Sequence, residues 1–375
     1  MKCNEYNVTF THDVFQSNRA ERDGGAVCAW KSSISINYGV FNNNTALEEG
    51  GAIDTSESNV TTITNSNFSH NTASRRHGGA VCLCDQHVTI VNATFANNQA
   101  GEDGGAILCD NCNLTVIHDV FQGNRAVRNG GSVDAWQGSV SIDYCVLINN
   151  TALEHGGAID TSESIVTTIT NTNLSNNAAS DSGGAVHVYD QNITIVNATF
   201  TNNQAGECGG AVQCNECKLF IILGVFQSNR AERDGGAVCT WNSFVSIDNG
   251  VFNNNVAFDD GGAVYTGDRT TTIISNTIFN QNTATDHGGA VVVYEGNETP
   301  SSITNSSFNN NAAGEGGGAV SVWMCTMTIL FTTIRGNIAS FWFGGGLVAG
   351  SRKNIALCEL ARGSIGCDAC PVPEG

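Results

Sequence analysis

Apolar and polar positions alternate along this chain in short bursts that return on a fixed period. Val88-Thr89-Ile90-Val91, Ile193-Thr194-Ile195-Val196 and Val245-Ser246-Ile247 are rich in β-branched residues and alternate in polarity, the pattern of a half-buried strand. A second predicted strand follows each Gly-Gly pair. Its residues three and five places after the first glycine are apolar or small, as in Val27 and Ala29, Val81 and Leu83, or Val186 and Val188. The residue between them is mixed (Cys28, Asp54, Cys82, Asp134, His187, Tyr265), so one side of this strand faces a core. No segment has a helical period.

The glycine pairs set the period. They begin at Gly24, Gly50, Gly78, Gly104, Gly130, Gly156, Gly183, Gly209, Gly235, Gly261, Gly288 and Gly317, 26 to 29 residues apart, with Gly344-Gly345-Gly346 last. Nine residues before most pairs stands an apolar anchor, usually Phe (Phe15, Phe41, Phe95, Phe121, Phe200), sometimes Leu147 or Leu174. Three residues after each anchor comes Asn, from Asn18 to Asn337, and two further on Ala, from Ala20 to Ala339, in all thirteen units. Each unit therefore reads F-x-x-N-x-A followed by G-G-A-[VI], as in Phe252 to Ala257 running on to Gly261-Gly262-Ala263-Val264.

A unit of about 26 residues is too short for a βαβ crossover and lacks the helix of a leucine-rich repeat. A coil of two or three strands joined by tight turns fits, stacked into an all-β, right-handed, single-stranded parallel β-helix of about 13 coils. In such a stack each residue meets its own kind about 4.8 Å above and below. Asn amides then donate and accept along a ladder, Phe rings fill the interior, and Gly and Ala serve where turns leave no room. Residues 1–350 form this domain, as three four-coil blocks of about 105 residues: Gly51 to Ser58 recurs as Gly157 to Ser164. Residues 351–375 form a Cys-containing tail, in which Cys358, Cys367 and Cys370 would open an extracellular Cys-rich module. Because the repeat pattern begins almost at once, at Val8 to Phe15, the chain is expected to be part of a longer protein.

Charge narrows the partners. With 16 Lys+Arg against 35 Asp+Glu, the formal charge of -19 opposes nucleic acid and anionic membranes. The longest apolar run, Leu219 to Phe226, is far short of a membrane span.

The paired G-G-A-[ILV] and F-x-x-N elements from Val8 to Val348 resemble the repeats of the polymorphic outer membrane proteins, known from chlamydial surface proteins. The resemblance implies a parallel β-helix displayed outside the cell or on its surface, with adhesion as its role and a cell-surface protein or glycan as partner. Family members end in a membrane β-barrel, which this sequence does not show, so the route to the surface does not carry over.

The candidate chemistry is sparse. Cys109 with Cys112 and Cys214 with Cys217 form two C-x-x-C elements, but four coils separate them, about 19 Å, beyond the reach of one zinc ion. Cys82 and Cys84 lie one coil below Cys109 and Cys112, so a cross-coil disulfide is open there, with buried thiols as the simpler reading. His77, His155 and His287 precede Gly-Gly in non-adjacent coils, and His12 and His118 are equivalent, so no Ser/His/Asp grouping is readable. The sequons at Asn7, Asn92, Asn197 and Asn305 are what chance gives a chain rich in Asn, Ser and Thr.

Two places before Gly-Gly, Arg22, Glu48, Arg76, Glu102, Arg128 and Glu154 alternate in sign. Farther on the row turns acidic, and Asp259, Asp286 and Glu315 are candidates to bind Ca²⁺ through carboxylates on adjacent coils. No catalytic residue and no other cofactor is expected. The reading is a non-catalytic, adhesive or structural repeat scaffold. The alternative is a polysaccharide lyase or hydrolase, which would need carboxylates converging in a groove walled by long loops, whereas coil length varies by only three residues. An ice-binding surface would want an unbroken Thr-x-Thr row, which Ser35 and Val91 do not supply.

Overall fold

The structure is a computed structural model describing residues 1–56, 58, 60–296, 299–341 and 344–350. Cys358, Cys367 and Cys370 of the tail lie outside the described residues. The described residues form strands and no helix, arranged as a parallel β-solenoid of about 13 turns, about 26 residues apart. The chain divides into two compact units, Met1–Ile193 and Thr194–Gly375.

One turn of the first unit shows why this sequence folds this way. It carries four strands, Val81–Cys84, His87–Val91, Thr94–Ala96 and Gln99–Ala100, where two or three were expected. The difference lies in F-x-x-N-x-A, which is itself two strands: Phe95 sits on the third and Ala100 on the fourth, with the chain bent between them at Asn97. All four corners are made by left-handed residues, Asp85 (φ 57°), Asn92 (φ 55°), Asn97 (φ 55°) and Gly104 (φ 67°). Asn, Asp and Gly tolerate that region best, which accounts for their abundance. The next glycine, Gly105, has a different reason: a Cβ there would collide with the carbonyl of Gly131 in the following turn.

Inward residues come from all four strands. Val81, Leu83, Val88, Ile90, Phe95 and Ala100 are at most 1% exposed. Register is exact from turn to turn: Phe15 pairs with Phe41, Phe41 with Phe68, Phe68 with Phe95 and Phe95 with Phe121. Their rings stack face to face at 4.7 to 4.9 Å. Leu147 and Leu174 continue the same row. Burying each such side chain is worth about 1.5–3 kcal/mol.

At the corner beside the phenylalanines runs the asparagine ladder. Asn98 Nδ2 donates to Asn124 Oδ1 (3.0 Å) and to the Phe68 carbonyl (2.9 Å), while its Oδ1 accepts from the Asn71 amide and side chain (2.9 and 3.0 Å). The amide thus satisfies backbone groups that the bend removes from the sheets, as well as its own neighbours.

The second unit repeats these devices. Phe200, Phe226, Phe252, Phe279 and Phe308 stack at 4.7 to 4.9 Å, with Ile334 paired to Phe308. Asn229 Nδ2 donates to Asn255 Oδ1 and the Phe200 carbonyl, both at 3.0 Å.

Candidate functional site

Ordinary alternation would leave the middle residue of each first strand in solvent, yet most of these residues are buried. Cys82 is 0% exposed, Asp160 3% and Asp54 5%. The cause is the left-handed glycine before the strand. It folds the preceding turn back, so that the residue just before Gly-Gly lies over the outward side chain of its own or a neighbouring turn. In the first unit the two rows are Asp23, Glu49, His77, Asp103, Asn129 and His155 over Cys28, Asp54, Cys82, Leu108, Asp134 and Asp160. They make a seam of ionisable groups that the sequence pattern did not reveal, although the mixed character of the middle position was its signal.

Within the seam the groups pair in short runs. Cys28 Sγ lies 3.7 Å from Asp54 Oδ2, and Cys82 Sγ 3.8 Å from Glu49 Oε2. Burial, with Asp23 and Glu49 nearby, pushes Asp54 up to about 7. His77 sits between Asp103 (Nδ1 to Oδ2, 3.2 Å) and Glu102 (Nε2 to Oε2, 3.2 Å). Burial opposes its charge, but the two carboxylates hold it above the usual histidine value. Farther on, His187 Nδ1 lies 2.7 Å from Asp160 Oδ1, and His155 stacks on His187 at 4.6 Å. Burial and then His187 hold His155 down, and burial and then Asp160 hold Asp134 well above the carboxylate range. Along its own row His155 has Asn129 and Ser182, not histidines, in the neighbouring turns. It meets His187 because the latter comes from the strand row of the next turn.

The second unit has its own version. Cys208 Sγ lies 3.8 Å from Asp234 Oδ2, and His287 bridges Asp260 (3.1 Å) and Glu315 (3.3 Å). The Ca²⁺ candidates Asp259, Asp286 and Glu315 stack on successive turns: the Asp286 amide donates to the Asp259 carbonyl (3.0 Å) and the Glu315 amide to the Asp286 carbonyl (2.8 Å). Arg233 already lies 3.7 Å from Asp259. Burial, then Asp260 and Glu315, raise Asp286. Among the described residues, the sets of three ligand atoms within 4.8 Å of one another are Glu49, Asp54 and Cys82, and His77, Glu102 and Asp103.

The alternating charge row forms cross-turn pairs, Arg76 with Glu48 at 3.1 Å and Arg128 with Glu154 at 3.7 Å. All are partly exposed and worth about 0–1 kcal/mol each. Arg22 instead lies 3.7 Å from Asp23.

The cross-coil disulfide left open for Cys82 and Cys84 is not made; both are free thiols, Cys82 buried. Cys109 bonds Cys112 and Cys214 bonds Cys217, each within its own C-x-x-C, with Cα atoms 5.6 and 5.9 Å apart. Register explains it: Leu83, not Cys82 or Cys84, stands opposite Cys109. Cys82 faces the seam and Cys109 the interior, so their sulfurs point to opposite sides of the sheet.

Two surface rows complete the first unit. Beside the seam, Trp30, Trp136 and Tyr189 stand 37, 44 and 41% exposed, with Lys31 Nζ 4.1 Å from the Trp30 ring centre. Trp136 and Tyr189 occupy one column two turns apart, through Ser162. On the second sheet, Thr9, Ser35, Thr62, Thr89, Thr115, Ser141 and Thr168 form one unbroken hydroxyl column. The companion column is interrupted by Val91, Ile117 and Asp143, so a continuous Thr-x-Thr face is not formed.

No curated protein and no solved structure matches this chain significantly. Residues 39–56, 92–110, 197–215 and 276–294 match the Chlamydia polymorphic membrane protein (Chlamydia_PMP) repeat. Each match contains both repeat motifs: residues 92–110 run from the corner Asn92 through Phe95, Asn98 and the glycine pair to the strand Ile107–Asp110. The chain is therefore a β-solenoid that carries, at four places, the polymorphic membrane protein repeat.

Proposed function

We propose that this chain is the displayed, non-catalytic part of a longer extracellular or cell-surface protein, and that its role is adhesive. The repeat family fits a surface scaffold, and one observation supports adhesion: half-exposed aromatics in a single column next to a carboxylate-rich seam. Trp136 and Tyr189, two turns apart with Ser162 between them in the column, are separated by about 10 Å and are each partly exposed. Aromatic faces with adjacent polar groups suit stacking against sugar rings, or the anchor residues of a protein partner. The acidic surface selects neutral or basic partners.

The test is a glycan array and cell-binding assay on the purified chain. Binding should fall at least about tenfold in Trp136→Ala with Tyr189→Ala, as loss of hot-spot aromatics does, with the melting temperature unchanged. Binding that survives the double substitution would move adhesion to another face.

The lyase or hydrolase reading draws on one observation, the buried cluster of Asp134, Asp160 and His187. These three residues are at most 9% exposed, which keeps a polymer away from them. Uronate cleavage abolished by Asp160→Asn would establish that reading instead. For Ca²⁺ at Asp259, Asp286 and Glu315, calorimetry should give a binding heat that Asp286→Asn removes; no heat and no melting shift would eliminate it.

A further inference from the structure

Three features coincide at the start of the seam. Ligand atoms of Glu49, Asp54 and Cys82 all lie within 4.8 Å of one another. Asp54 is 5% exposed, and its Oδ1 is buried without a hydrogen-bond partner. Its other oxygen, Oδ2, takes the Cys28 thiol at 3.7 Å, so Oδ1 is the atom left over. A buried carboxylate oxygen with nothing to accept is destabilising, and it stands beside a thiol.

We propose that Glu49, Asp54 and Cys82 form a binding site for a thiophilic divalent cation of the Zn²⁺ class. The stacking makes the site. Asp54 and Cys82 are partners in adjacent strands, and Glu49 arrives from the folded-back turn, its Oε2 3.8 Å from Cys82 Sγ. Tetrahedral zinc, with bonds of about 2.0–2.3 Å, needs ligands about 3.3–3.8 Å apart, which small side-chain rotations reach here. A thiolate with two carboxylates selects zinc over calcium or magnesium, which take oxygen ligands only.

Charge is consistent. On binding, the Cys82 thiol proton and the proton that buried Asp54 holds both leave to the buffer, and the ion faces one thiolate and two carboxylates. Arg76, 3.5 Å from Glu49 Oε1, supplies the remaining positive charge. A depression of about 380 Å³ lined by Arg22, Asp23, Glu48, Glu49 and Arg76 borders the site at Glu49. The neighbouring set of His77, Glu102 and Asp103 differs in that its histidine is already paired on both ring nitrogens.

The test uses the full chain, stripped of metal by chelator and titrated with Co²⁺ and then Zn²⁺. Co²⁺ should bind with a thiolate-to-metal charge-transfer band in the near ultraviolet, and Zn²⁺ should displace it. The band should vanish in Cys82→Val and persist in Cys84→Ser. Glu49→Gln, on a surface turn where folding is not at stake, should weaken Zn²⁺ binding by at least about tenfold. Binding without a thiolate band, a band lost in Cys84→Ser, or Glu49→Gln binding Zn²⁺ like the parent chain would each overturn the site.

Discussion

Two adjacent asparagines show how much position decides. Asn98 is 1% exposed and holds four ladder and backbone contacts through its side-chain amide, with a fifth from its backbone N–H to Asn124 Oδ1, whereas its neighbour Asn97 is a corner residue chosen for its φ of 55°. Asn98→Ala strands the Asn71 donors and the Phe68 carbonyl, and should cost about 3–5 kcal/mol in urea unfolding. Asn97→Gly should change stability by less than about 1 kcal/mol, since Gly123 fills the equivalent corner one turn on with φ 64°. Equal losses at the two positions would mean that the ladder is not what holds this corner. The ladder row was legible because every unit repeats it. The seam was not, because its members change identity from turn to turn, and only burial and register bring Asp54 to Cys82 or Asp160 to His187.

At the scale of the element, a turn is a closed module: four short strands, four left-handed corners, and partners only above and below. Stability in such arrays is close to a sum of unit and interface terms. Deleting residues 104–129 removes one whole 26-residue repeat and joins Asp103 to Gly130, which keeps every row in register. The shortened chain should keep its strand circular dichroism and a cooperative melt. Deleting only 104–123 should abolish both, because Phe and Asn rows would then face the wrong partners. A native-like melt for the shorter deletion would contradict the dependence on register. Four strands rather than three also follow from this scale: one left-handed residue suffices to end a strand, and the sequence marks that corner only with an Asn among other Asn residues.

Across the whole chain, buried carboxylates set the response to pH. Burial pushes Asp119 up to about 7, against the hydrogen bonds it accepts from the Ala93 and Ile117 amides, and pushes Asp234 up to about 6. The unfolded chain titrates these groups near about 4. For each, the folded state holds the proton more tightly, so the stabilisation is complete below about pH 4 and is lost as pH rises through about 6 to 7. His77 and His287, raised by their carboxylate partners, act in the same direction. Asp103, held below its usual value despite burial, by the His77 bond and the Asn129 amide, acts the other way, on the acid side only. With chelator present, the urea midpoint should therefore be higher at pH 5 than at pH 8, and Asp119→Ser should reduce the difference. A midpoint that climbs between those values would show that these carboxylates are ionised in the fold.

The amino-acid sequence by itself determined the period, the parallel stacking, the phenylalanine filling and the asparagine ladder. Each of these needs one residue type at one place in every turn, and repetition writes that requirement openly. Tertiary structure alone decided the number of strands per turn, the pairing of Cys109 with Cys112 and Cys214 with Cys217, and the seam where Glu49, Asp54 and Cys82 meet. Those depend on which way a side chain points and on how far a glycine corner folds one turn over another, and neither is visible in the spacing of residues along a chain.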